Sequence, residues 1–151
     1  MSDSIKFYSV NDEYGEFSNF ALYSIKLKGK IWPTSEHYFQ AQKFEDKAYQ
    51  EKIRKVHSPM KAAQLGRDRT VKLVRNWDNV RDSVMYDAVK AKFIQHKELA
   101  ELLLSTGEAK LIEHTENDSY WGDGGKYGKG MNKLGHILMK VREELKGNFK
   151  E

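Results

Sequence analysis

The stretch WPTSEHYFQAQKF, residues 32–44, decides how this chain is read. Behind Trp32-Pro33 come an acid, two amides, a lysine, a histidine and three aromatic rings. After the proline, Thr34 or Ser35 can cap a helix running to about Val56, with Glu36 in its first turn. On a wheel of 100° per residue, Phe44, Ala48, Ala41, Tyr38, Val56, Tyr49 and Ile53 sweep a wide apolar arc. Opposite them, Glu36, Gln40, Lys43 and Lys47 fall within about 60° of one another. Glu-to-Lys pairing along a solvated stripe is worth only tenths of a kcal/mol. The wide arc leaves such a helix little free surface, so the stripe reads as the wall of a cleft.

Outward from this segment the elements are short. Residues 5–9 alternate as a strand does, and residues 23–32 read as a strand, a turn at Lys28-Gly29 and a return. Ser58-Pro59 opens a short helix that Gly66 can close. Asp78 can cap a longer helix carrying Val80, Val84, Ala88 and Ala91. ELAELLLS continues helical to Gly107, and residues 109–113 suit a strand. A last helix, from about Asn132 to Lys146, would bury Leu134, Ile137, Leu138, Val141 and Leu145. The expected class is α+β, predominantly helical, with a few short strands. No repeat or linker interrupts the 151 residues, so residues 1–151 read as a single domain. Residues 114–132 hold five glycines, a tryptophan and two tyrosines without hydrophobic period, and a loop of that length is commonly functional.

Composition narrows the chemistry. With no cysteine there is no disulfide framework, thiolate nucleophile or Cys-type zinc site. No apolar run reaches membrane-spanning length, and MSDSIKFYSV carries no leader pattern, so a cytoplasmic protein with no membrane partner is expected. The net charge of +4 is unevenly spread. Residues 41–75 carry 10 basic and 4 acidic side chains and residues 120–151 carry 7 and 4, which suits a phosphate-bearing ligand. GDGGKYGKG lacks the spacing of a phosphate-binding P-loop, and Tyr127 stands where the third glycine of G-x-G-x-x-G belongs. The five histidines show no metal-ligand spacing, and neither a metal nor a cofactor is expected. What remains is a carboxylate pair from distant parts of the chain, Glu36 with Asp118 or Asp123. With it go Trp32, Trp77 and Trp121 and the arginines of GRDR, Arg67 and Arg69. Carboxylates with aromatic walls suit cleavage of a sugar-to-base bond, where one group moves a proton and an anion steadies the oxocarbenium ion.

Six strings carry a resemblance: YGEFSNF (14–20), WPTSEHYFQAQKF (32–44), SPMKAAQLGR (58–67), NW (76–77), KF (92–93) and HTENDSYWGDGGKYGKGMNKLG (114–135). In this order they resemble the YbiA/NADAR family across nearly the whole chain. The resemblance implies an N-glycosidase acting on a small phosphorylated ribosylamine, a ribosylamino-pyrimidine of riboflavin biosynthesis, and releasing ribose 5-phosphate. Other members imply removal of ADP-ribose from guanine, with an ADP-ribosyl compound or ADP-ribosylated nucleic acid as substrate. Matched motif by motif, Glu36, Asp118, Trp77 and Trp121 form the core of the implied site, with Lys43 as a further catalytic candidate. Asn19, Arg67, Arg69, Gly122, Asp123 and Asn132 complete the candidate set as substrate-binding residues.

The helix dipole favours an anionic Glu36, whereas burial among aromatics favours the neutral acid, so the sequence leaves its role as base or acid open. Arg67 and Arg69 would clamp a phosphate, and Asn19 would hydrogen-bond the sugar. A non-catalytic reader of ADP-ribose or nucleic acid would share the basic blocks and aromatics. It would gain nothing from Glu36 and Asp118 beside an anionic ligand, which places catalysis first.

Overall fold

A computed structural model describes residues 3–149, with side chains described through Gly147. Among the described residues, six helices and four short strands make the fold α+β and predominantly helical. Contacts divide the chain into two compact units, Leu22–Lys92 and the pair of segments Met1–Ala21 and Phe93–Glu151.

The unit at 22–92 starts with a hairpin. Strand β2 (Ile25–Leu27) pairs antiparallel with β3 (Lys30–Trp32), placing Ile25 opposite Trp32. Lys28 and Gly29 both take positive φ, 54° and 76°, as a two-residue turn matched to strand twist requires. The indole of Trp32 donates to the Leu27 carbonyl at 3.1 Å and meets Tyr38 edge-on, so this tryptophan belongs to the core.

Helix α1 covers Ser35–Ala41, and all seven residues are buried. Its cap is Thr34, whose hydroxyl accepts from the His37 backbone N–H at 3.1 Å. The same hydroxyl lies 2.8 Å from His37 Nδ1, while Nε2 lies 2.9 Å from the Val56 carbonyl. A carbonyl can only accept, so Nε2 carries the proton and Nδ1 accepts from Thr34. Burial lowers the pKa of His37 and the bond to Val56 opposes it in part, so the ring is neutral.

The helix expected to reach Val56 is two helices. The chain leaves α1 at Gln42, and Phe44 bridges antiparallel to Leu73. The Lys43 carbonyl accepts from Val74 N at 2.7 Å. Asp46 then caps α2 (Lys47–Lys55) by accepting from Tyr49 N at 3.1 Å. A cap and a bridge that satisfy backbone groups outweigh continuation of the helical period. Most of the apolar arc survives the break: Tyr38, Ala41, Phe44 and Ile53 share one core with Ile25, Trp32 and Ala88. Ala48 is exposed, contrary to the wheel. Helix α3 (Pro59–Gly66) has Ser58 as cap and Pro59 in its first turn. Helix α4 (Trp77–Gln95) begins at Trp77, so Asp78 sits inside its first turn rather than at the cap.

In the other unit, β1 (Ser4–Phe7) pairs in parallel with β4 (Lys110–Glu113), Ser4 opposite Lys110. Helix α5 (Lys97–Ser105) precedes β4, and Gly107 turns the chain between them at φ 64°. Helix α6 (Lys133–Phe149) buries Leu134, Leu138, Val141 and Leu145 as its period predicts, with Ile137 half-buried. Phe17, at the end of a 3-10 turn (Gly15–Phe17), meets Phe7 and Phe93, each at 5.7 Å.

Thr34→Ala removes one cap acceptor and leaves His37 Nδ1 without its donor inside the core. We expect a loss of about 1–2 kcal/mol in urea unfolding. Thr34→Ser, which keeps the hydroxyl, should retain most of that stability.

Candidate active site

In the unit at 22–92 the site is built on α1 and the turn behind it. Glu36 is 8% exposed in the first turn of α1, the end at which a helix dipole favours an anion. One turn on, Gln40 Nε2 donates to Glu36 Oε2 at 2.7 Å. Lys43 lies beyond the helix end, and the bond from Val74 to its carbonyl fixes its backbone. Burial lowers the Lys43 amine most, Glu36 pulls it back up, and Arg69 and Arg67 lower it further, to about 8. About a tenth of such amines are neutral at pH 7, far more than for a solvated lysine. A carboxylate beside a partly neutral amine can exchange a proton with it and leave a nucleophile.

Aromatic rings continue from the amine. Lys43 Nζ lies 5.6 Å from the centroid of Phe39, whose ring is 5.3 Å from that of Trp77. Trp77 is 7% exposed at the start of α4. Arg67 and Arg69 follow α3 on its exposed end, and Arg69 Nη1 donates to the Gly66 carbonyl at 2.8 Å. Gly66 is where α3 comes close to α1: a Cβ there would overlap the Gln40 amide. This unit therefore gathers Glu36, Lys43, Arg67, Arg69 and Trp77. Lys47, on α2, is exposed and leaves the stripe.

Asn19, Asp118, Trp121, Gly122, Asp123 and Asn132 belong to the other unit. Asn19 is 8% exposed, two residues past the 3-10 turn. Residues 114–132 are a bonded structure rather than a slack loop. Asp118 Oδ1 accepts from Tyr120 N and Trp121 N at 2.9 and 2.8 Å. The Trp121 ring packs edge-on against Tyr120 at 4.8 Å. Asp123, 7% exposed, accepts from the His114 ring at 2.8 Å, Thr115 N at 3.1 Å and Gly125 N at 2.9 Å. Burial pushes its carboxyl up, but the His114 ring and the Gly125 and Thr115 amides together outweigh that and hold it below the ordinary range. Asn132 takes φ 50°, accepts from Glu113 N at 3.0 Å and donates to the Leu111 carbonyl at 2.9 Å. Gly122 is buried, and a Cβ there would crowd the Asp118 and Glu113 carbonyls.

Sequence reasoning left Gln40, Phe39 and Gly66 outside the candidate set. Gln40 stood on the same helical stripe as Glu36, which was the available signal. The closeness of Gly66 to Gln40 had none, because it depends on how α3 crosses α1.

Comparison with known proteins gives a consistent picture. The NADAR domain family model matches residues 6–146. The chain is 62% identical over 146 residues to N-glycosidase YbiA of Escherichia coli strain K12, covering 96% of this chain and 91% of that protein. It is 44% identical to an N-glycosidase of Nostoc punctiforme, covering 95% and 93%. A riboflavin biosynthesis protein of Vibrio vulnificus is also 44% identical, with 96% of this chain matching 39% of that longer protein. The NMR structure of E. coli YbiA is similar with a TM-score of 0.92 at 59% identity, covering 100% of this chain and 90% of that one.

Two substitutions test the local geometry. In a helix, Gly→Ala ordinarily stabilises by about 1 kcal/mol. Gly66→Ala should instead destabilise by about 1–3 kcal/mol in thermal unfolding, because its methyl meets the Gln40 amide. For Asp123, whose folded pKa is depressed, the stabilisation is present above the unfolded carboxylate pKa of about 4 and is lost as pH falls through the lower folded value. Asp123→Asn should therefore lower the melting temperature at pH 7 and flatten its fall on acidification.

Proposed function

The chain belongs to the NADAR family and is a hydrolase acting on N-glycosyl bonds, and from that premise we propose that it cleaves phosphorylated ribosylamino-pyrimidines to ribose 5-phosphate and the free aminopyrimidine. The observation that carries this reading is the Lys43 amine, lowered to about 8 by burial and held beside Glu36, with Arg69 and Arg67 close enough to lower it further. That one relative is named a riboflavin biosynthesis protein supports a substrate from that pathway. We read the chain as one NADAR domain, since a single family model spans 6–146, and as a cytoplasmic protein. Among the described residues no helix is long and apolar enough to cross a membrane.

The chemistry follows from the groups present. A ribosylamine opens at C1′ to an imine, a carbon that an amine attacks readily. Neutral Lys43 would form an Nζ–C1′ bond, and the bond from C1′ to the pyrimidine nitrogen would break with its electron pair going to that nitrogen. The departing amine gains a proton from the site, and water then hydrolyses the Lys43 Schiff base to ribose 5-phosphate. Glu36 would move the proton between these groups. Arg67 and Arg69 would hold the 5-phosphate, and Trp77 with Phe39 would offer the base an aromatic face. In the glycine loop, Asp118 has Oδ1 committed to two backbone amides, leaving Oδ2 for a ribose hydroxyl. Trp121 and Asn19 are assigned to the base and sugar, and Gly122, Asp123 and Asn132 to shaping the loop that presents Asp118 and Trp121.

Purified protein should release ribose 5-phosphate from a ribosylaminouracil phosphate faster than it releases ADP-ribose from an ADP-ribosylated guanine oligonucleotide. The opposite order would assign the chain to ADP-ribose removal. Borohydride added during turnover should leave the sugar's mass on the peptide containing Lys43, and kcat should rise with pH up to about 8 and then level. If no adduct forms and Lys43→Arg stays active, direct attack by water replaces the covalent route.

A further inference from the structure

Gln40 makes and breaks no bond in this chemistry, yet it is 7% exposed at the centre of the cluster. Its Nε2 donates to Glu36 Oε2 at 2.7 Å. Its Oε1 is buried with no hydrogen-bond partner among the described residues and lies against Gly66, where a Cβ would overlap it. A buried amide could be set either way round, and the surroundings choose. As found, the oxygen faces the Gly66 methylene, which offers a weak C–H contact, and the NH2 group faces the carboxylate. Reversed, two N–H donors would meet a methylene and the oxygen would meet a carboxylate oxygen. An orphaned donor pair costs more than an under-satisfied carbonyl. The reversed amide would suit Glu36 only as a neutral acid, whose O–H could donate. The close approach at Gly66 thus selects the amide orientation, and a donor turned toward Glu36 favours its anion over its neutral acid.

We propose that Gln40 is a positioning residue that holds Glu36 as an anion, so that Glu36 enters N-glycosyl cleavage as the proton acceptor. This deepens the reading given above and rests on it. Glu36 takes the proton that Lys43 loses before attack and passes it to the departing pyrimidine nitrogen, which balances the step without another co-reactant. The charged groups that act on Lys43 are Glu36, Arg69 and Arg67. On α2 and β3, Glu51 is engaged by Arg54 and Lys30, Lys61 on α3 is exposed, and the His37 ring is spent on Thr34 and Val56. Gln40 adds a neutral donor to this field, and replacing it with leucine removes that donor without adding or removing a formal charge.

The test follows the Glu36 carboxyl itself. Its 13C signal, assigned by its loss in Glu36→Gln, is titrated in the wild type and in Gln40→Leu. The midpoint should rise by about one pH unit or more in the variant. The acidic limb of kcat/KM should move up with it, and kcat at pH 6 should fall about tenfold while KM changes less than threefold. Gln40→Glu keeps the side-chain shape, serves if the leucine variant does not fold, and should raise the midpoint further because two carboxyls then share one proton. An unchanged midpoint in whichever variant folds overturns the proposal. The reading beneath it fails by a different result: near wild-type turnover in Glu36→Gln removes Glu36 from the reaction, whatever the titration shows.

Discussion

Every side chain of α1 is buried, and a helix with no wet face must settle each polar group from within the protein. The local arrangement follows from that demand. Thr34 and His37 satisfy each other and the Val56 carbonyl, which ties the start of α1 to the end of α2. Glu36 is met by the Gln40 amide, and the charge of Lys43 is set by what lies around it. Burial lowers both the His37 ring and the Lys43 amine, so the exclusion of water that costs stability also shifts how these groups titrate.

Cation placement shows the trade most clearly. Lys43 is lowered because water is scarce and two arginines stand near, and the effect persists although Glu36 opposes it. Lys47, four residues on, is exposed on α2. The difference between a solvated lysine and a candidate nucleophile thus rests on the turn at residues 42–46, which keeps Lys43 with α1 and sends Lys47 onto α2.

Much of this was legible in the sequence where a residue's own chemistry fixes its backbone. Lys28-Gly29, a cap at Thr34 or Ser35, the helix start at Ser58 and the buried stripe of α6 were readable because each is a local preference. The break after α1 was not, since Phe44 pairs with Leu73 across a long separation and Asp46 looked like one more acid on a helical face. The parallel pairing of β1 with β4 has no local signature either. At the site, Glu36 and Lys43 stood out because ionisable groups announce reactivity. Gln40 did not, because an amide gains its importance only from the partners that crowd it. The bonded order of residues 114–132 was hidden for a similar reason: glycines advertise freedom, while the contacts that remove it come from Asp118, Asp123 and Asn132.

The pairing of Ser4 with Lys110 also bears on the order in which the chain can assemble. The unit at 22–92 is a continuous run of chain. The other unit is discontinuous, and its first strand has no parallel neighbour until β4 has been made. The entropy of closing that loop grows only slowly with length, and the short β1–β4 pair shares it with the Phe17–Phe93 contact. Topology of this kind slows folding more than it weakens the folded state. During synthesis the residues that carry Glu36 and Lys43 are complete while β1 still waits for its partner.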